Sequence, residues 1–327
     1  MFVKIAEVNG YPQQILENVE DYHQEVLKMS ESVWQEILSK ILAQPLELIG
    51  GRLFQFYLVE TEKAKYFLRK CHHIIFDDMT YQTIFDDISA AYDGKELFPE
   101  NYDAIDFAND ESISRTQPNF KDARNWYEKT FSGLEVEALP IPDHKDTEIS
   151  FNTFNRTFKL AYSALKNFCT TNKISAAALT STAFAILLGT YTYQQESLFS
   201  TIYHGRNDRT KNIVGMFVKT LPVYCHWTNN EKISDLIAEM TENIKSAQDN
   251  DLFSYADLNQ ICPMNNTPMF AYHGLIKTIS EFCGKPCHEE VLDKKLPAII
   301  LWLNCLLILI KCNFTLSIIP HFIQKIL

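Results

Sequence analysis

Of the 327 residues, those best suited to chemistry crowd into one decapeptide: Cys71, His72, His73, Ile74, Ile75, Phe76, Asp77, Asp78, Met79 and Thr80. An imidazole titrates near neutral pH and can take a proton from an attacking amine or hydroxyl. An aspartate four residues after the second histidine can fix local geometry by pairing with an arginine. General-base chemistry is therefore the leading reading, with a structural histidine pair at a strand end as its rival. Metal binding fits less well, because neighbouring side chains of a strand point to opposite faces. Cys283 and Cys287-His288 offer half a zinc site, but no second pair of matching spacing accompanies them; no metal is expected. No Gly-x-Ser-x-Gly turn is present, and a Cys71–His73 pair is the remaining nucleophile option.

The flanking elements must position these groups. Phe54–Glu60 alternates and reads as a strand. Tyr66–Ile75 reads as a second, antiparallel strand running into the histidines. Tyr81, Ile84, Phe85, Ile88 and Tyr92 mark one face of a helix, with Thr80 as its expected N-cap and Gly94 as its stop. Asn9-Gly10 predicts a hairpin turn near the start. Further on, helices are predicted over 120–131, 162–172, 174–191 and 233–248, and strands over 151–159 and 198–204. A polar stretch up to Ser150 reads as a linker, giving lobes over 1–145 and 146–290 and an atypical apolar tail over 291–327.

Bulk properties narrow the partners. The net charge is −11 and no run of Lys or Arg occurs, so nucleic acid is not an expected partner. Met1–Glu7 lacks the basic and apolar regions of a secretory leader. The eight cysteines are accordingly read as reduced thiols of a cytoplasmic protein. Leu296–Ile319 is long enough to span a bilayer, yet it follows a soluble pattern, and membrane attachment is not expected.

The decapeptide resembles the HHxxxDG motif of chloramphenicol-acetyltransferase-like acyltransferases, most of all the condensation domains of nonribosomal peptide synthetases. Four other stretches carry the same resemblance in the same order. Ile105-Asp106-Phe107-Ala108 is similar to the family's YxDFA segment, with Ala104 in the tyrosine place. Gly205-Arg206 and Val214–Pro222 are similar to its Ser-Gly-Arg strand end and VGxFVNTLP signature, with His204 for serine and Lys219 for asparagine. Asn250–Tyr255 is a worn form of its HQDYPFE loop.

The resemblance implies an α/β, two-lobed chloramphenicol acetyltransferase-like fold with a tunnel between the lobes. It implies catalytic residues His73 and His72, with His73 assisting attack of an amine on a thioester. Asp77 and Arg206 would support the site, and Asp78, Gly215, Phe217 and Lys219 would line the tunnel. Substrates would arrive on the phosphopantetheine arms of donor and acceptor peptidyl carrier proteins, with no directly bound cofactor. As alternatives the resemblance admits an ester-forming free-standing acyltransferase or a catalytically degenerate carrier-docking module, with the Gly215–Pro222 signature favouring the amide-forming reading.

Three departures bear on activity. Asp78 stands where the family has glycine, adding bulk and charge. The family's opening strand and helix precede Phe2, and its pattern fades after about Lys285, so the fold is expected to be incomplete at both ends. The apolar tail reads as the product of a frameshift, in place of the family's Ser-Tyr-Asp-Leu type of strand, with a divergent core segment as the alternative.

Overall fold

The computed structural model describes residues 2–97, 101–140, 152–158, 162–264, 267–274, 281–288, 302–308 and 311–318. The expected lobe boundary at 145/146 and the polar linker before Ser150 lie outside the described residues. The chain opens with β1 (Val3–Val8), β2 (Tyr11–Leu16), β3 (Val26–Lys28), α1 (Glu31–Ala43), β4 (Phe54–Glu60), β5 (Lys65–Cys71), α2 (Asp78–Tyr92), α3 (Ala104–Ser114) and α4 (Pro118–Phe131). It continues through β6 (Asn152–Phe158), α5 (Tyr162–Asn172), α6 (Ala176–Thr192), β7 (Glu196–Tyr203), β8 (Lys219–His226), α7 (Ile233–Asp249) and α8 (Tyr255–Ile261). After these come β9 (Met269–Gly274), β10 (Glu281–Phe282), β11 (Lys285–Pro286), β12 (Trp302–Ile308) and β13 (Lys311–Ile318).

Two compact units are formed, and neither is one continuous segment. The first takes Met1–Asp110, Arg206–Phe217 and Ile279–Lys294; the second takes Glu111–Gly205, Val218–Thr278 and Lys295–Leu327.

In the first unit, β1 and β2 form the expected hairpin. Asn9 and Gly10 both take positive φ, 53° and 80°, as a tight two-residue turn requires. β3, which the sequence pattern did not reveal, pairs parallel with β4, and β4 pairs antiparallel with β5 so that Phe54 faces Cys71. Ile5, Leu53, Phe54 and Ile75 form a core beneath the end of β5, while Trp34 and Ile41 of α1 close over Val59. Each such large apolar side chain removed from water contributes about 1.5–3 kcal/mol, which fixes where β5 ends.

In the second unit the strand order is β6-β13-β12-β9-β7-β8. α6 is apolar almost all round because it is covered on several sides: Phe184, Ala185 and Leu188 pack with Phe199 and Val223 of the sheet and with Leu236 and Met240 of α7. A second core joins Tyr127 and Phe131 of α4 to Leu198, Phe253 and Leu258. The apolar tail supplies two strands, with β12 parallel to β9 and β13 antiparallel to β6. No single helix among the described residues is long and apolar enough to cross a membrane.

Candidate functional site

β5 stops at Cys71, four residues earlier than its apolar pattern suggests. The His72 N–H still reaches Leu53 O (2.7 Å), but the chain then turns. His73, Ile74 and Ile75 make a single 3-10 turn, closed by bonds from the Ile75 and Phe76 N–H groups to the carbonyls of His72 and His73. The strand-alternation argument for the two histidines therefore does not apply, since neither lies in a strand. A different division holds. His72 is half-buried and its Nδ1 accepts from the Ile74 N–H (3.1 Å), so this ring is part of the turn. His73 is exposed. Among the described residues, no group of three His, Cys, Asp or Glu side chains could hold a metal ion.

Cys71 packs beside Ile5, Phe54 and Ile75. Burial pushes its thiol up to about 11, so it stays protonated at neutral pH and is a poor nucleophile.

The turn is anchored at its far end by Asp77, which is 1% exposed. Asp77 is the N-cap of α2, and its Oδ1 accepts from the Thr80 N–H (2.8 Å). The expected cap, Thr80, instead lies inside the first helical turn. The predicted partner of Asp77 is the observed one: Arg206, 7% exposed, donates from Nη2 to Oδ1 (2.7 Å) and Oδ2 (2.9 Å) and from Nε to Oδ2 (3.3 Å). The Phe217 N–H adds a bond to Oδ2 (3.1 Å).

Arg206 uses the rest of its fork on backbone and hydroxyl. Nη1 donates to Thr210 O and Ile213 O (both 2.7 Å), and Nη2 to Thr80 Oγ1 (2.9 Å) and Gly215 O (3.2 Å). A planar five-donor group suits this arrangement, where a lysine would reach only part of it. Gly205, with φ of 61°, turns the chain just before Arg206.

Gly215 and Phe217 are buried within the same unit. A side chain at 215 would bring its Cβ to 2.7 Å from the Phe217 ring and 3.2 Å from the Ala104 Cβ, so only glycine fits. The Phe217 ring meets Phe107 of α3 edge to face (centroids 4.9 Å apart), and the Arg206 guanidinium lies 4.4 Å from its centre. Asp78 is exposed and opens α2, where a negative charge is favoured by the free N–H groups of the first turn.

Lys219 belongs to the second unit and starts β8. Its Nζ lies 2.8 Å from Glu111 Oε1 and 3.3 Å from Asp251 O, with Asp251 Oδ2 at 3.5 Å. Burial raises the Asp251 carboxyl, and Lys219 only partly offsets that. The segment-by-segment motifs thus converge in two groups. The decapeptide, Arg206, Phe107 and Gly215–Phe217 gather in the first unit, while Glu111, Lys219 and Asp251 meet in the second.

Thr80 and Thr210 were missed as members of the Asp77 network. The spacing Asp77 to Thr80, N-cap to third helical residue, was the available signal.

A sequence profile described as "Condensation domain" matches residues 2–283. Bacitracin synthase 1 of Bacillus licheniformis is 26% identical over 231 residues, covering 67% of this chain and 4% of that protein. The chain thus spans a small part of the curated relatives it matches. Among solved structures, the epimerization domain from the third module of tyrocidine synthetase B superposes with a TM-score of 0.75 at 15% identity, covering 99% of this chain and 81% of that one. The first condensation domain of the calcium-dependent antibiotic synthetase gives 0.69 at 13% identity, covering 99% and 79%. The fold is the chloramphenicol acetyltransferase-like fold of these domains.

Proposed function

The chain belongs to the condensation-domain family of nonribosomal peptide synthetases, and from that premise we propose that it joins a carrier-bound acyl or peptidyl thioester to a carrier-bound aminoacyl amine. The observation that carries this reading is the exposed imidazole of His73 on a turn whose end is locked by the buried Asp77–Arg206 pair. In the proposed step the amine nitrogen attacks the thioester carbonyl, a C–N bond forms and the C–S bond breaks. His73 positions the amine or takes its proton, and the departing thiolate of the donor arm is protonated to a thiol. Both substrates come on phosphopantetheine arms, so donor and acceptor carrier proteins are the partners and no directly bound cofactor is needed. The proposed setting is the cytoplasm, where thiols such as the free Cys169 and Cys225 stay reduced.

The test is a mass-spectrometric assay with two loaded carriers. Amide product on the acceptor carrier, lost in His73→Ala while the fold is retained, is the expected result. An ester from an alcohol acceptor would favour the free-standing acyltransferase reading. Carrier binding without product would favour a docking module, the reading that Asp78 in the family's glycine place supports.

A further inference from the structure

Thr80 is wholly buried, and its hydroxyl uses its full bonding capacity. Oγ1 donates to Gly215 O (2.8 Å) and accepts from Arg206 Nη2 (2.9 Å) and from the Gly215 N–H (3.1 Å). One proton and two lone pairs are all that a hydroxyl offers. A single side chain in the first turn of α2 thus grips both polar groups of Gly215, 135 positions away. Two residues on, the Phe217 N–H donates to Asp77 Oδ2. The orientation of the Gly215 backbone therefore sets how Phe217 meets Asp77, and Asp77 closes the turn that begins at His73. Branching at Cβ restricts the Thr80 rotamer, which suits a fixed three-way junction.

We propose that Thr80 is a positioning residue for His73, acting through Gly215, Phe217 and Asp77. The inference rests on the reading of His73 as the group that assists amide formation. Thr80→Val removes the hydroxyl at nearly constant volume, while Thr80→Ser keeps it. With loaded carriers, Thr80→Val is expected to lower kcat per folded molecule about 10-fold, with the acceptor-carrier KM changed less than about 2-fold. Thr80→Ser is expected to stay within about 3-fold of the parent kcat. Parent-like kcat in Thr80→Val, or a Thr80→Ser protein as slow as Thr80→Val, overturns the proposal. Should Thr80→Val not fold, Thr80→Cys, which drops the methyl and leaves only a weak thiol donor, is compared with Thr80→Ser in the same way.

A second readout separates this inference from the condensation reading. The NMR signal of the His73 ring, assigned by its loss in His73→Ala, should move in Thr80→Val and hold its place in Thr80→Ser. An unmoved signal in Thr80→Val overturns the proposal. If the parent protein yields no amide, the condensation reading fails, and the ring signal still decides the role of Thr80.

Discussion

At the scale of single residues, the charge pair beneath the histidine turn sets the stakes. Asp77 and Arg206 have side chains 0% and 3% exposed, and removing one member leaves the other charge buried without its partner. Arg206→Ala should therefore cost about 3–5 kcal/mol of stability, read as a lowered urea midpoint. Arg206→Lys should recover only part of this, because an ammonium cannot reach Asp77, Thr80, Thr210 and Ile213 together. Asp78 poses the opposite question. Its carboxylate suits the start of α2 and contributes about 0.3–1 kcal/mol there, yet it stands where the family has glycine. Asp78→Gly should lower Tm slightly and raise the rate of amide formation in the two-carrier assay. An unchanged rate would show that this carboxylate does not limit the chemistry. Cys71, protonated and packed in the core, should be replaceable by Ala with the rate retained.

At the scale of elements, the junctions matter more than the elements. Gly215→Ala would press a methyl into the Phe217 ring, which is held between Arg206 and Phe107. A loss of about 1–3 kcal/mol is expected, measurable by chemical unfolding. α8 gives a pH-dependent case. Its capping residue Ser254 and its third residue Asp257 bond reciprocally, and Arg115 also bonds Asp257. Burial alone would raise the Asp257 carboxyl, but the hydrogen bonds from Arg115 and Ser254 outweigh it and hold the group below its ordinary value. A lowered folded value means this stabilisation is present above about pH 4 and is lost as pH falls through the lower folded value. Asp257→Asn should flatten the acid limb of the stability curve, measured as Tm between about pH 2 and 5. The legible and illegible parts of the site divide along the same lines. His72, His73 and Asp77 were readable because they are contiguous. Arg206 was readable only through resemblance, since nothing in local spacing links it to Asp77. The end of β5 was misjudged because Ile74-Ile75-Phe76 continues an apolar run, and what terminates the strand is the packing of Ile75 on Leu53 and Phe54. Thr80 was taken for a cap because threonine favours that role, whereas Asp77, with its carboxylate three residues ahead of the Thr80 N–H, took it.

At the scale of the whole molecule, α2, α4, α5, α6 and α7 and the strands β4 to β7 were legible to within a few residues, because period-3.6 and period-2 patterns are local, whereas β8, α8 and β9 were not read. The short β3 carried no such pattern in three residues. The assignment of segments to units is not local either, since the first unit takes in Arg206–Phe217 and Ile279–Lys294. That interleaving sets a timetable for synthesis. Asp77 precedes Arg206 by 129 positions, so at about 5–20 residues per second its carboxylate leaves the ribosome roughly 6–26 seconds ahead of the Arg206 guanidinium. During that interval a charge destined for a dry site has only water to stabilise it. The histidine turn is thus among the first parts of the chain to be made and among the last to be set, and its maturation is timed by the translation of a different unit.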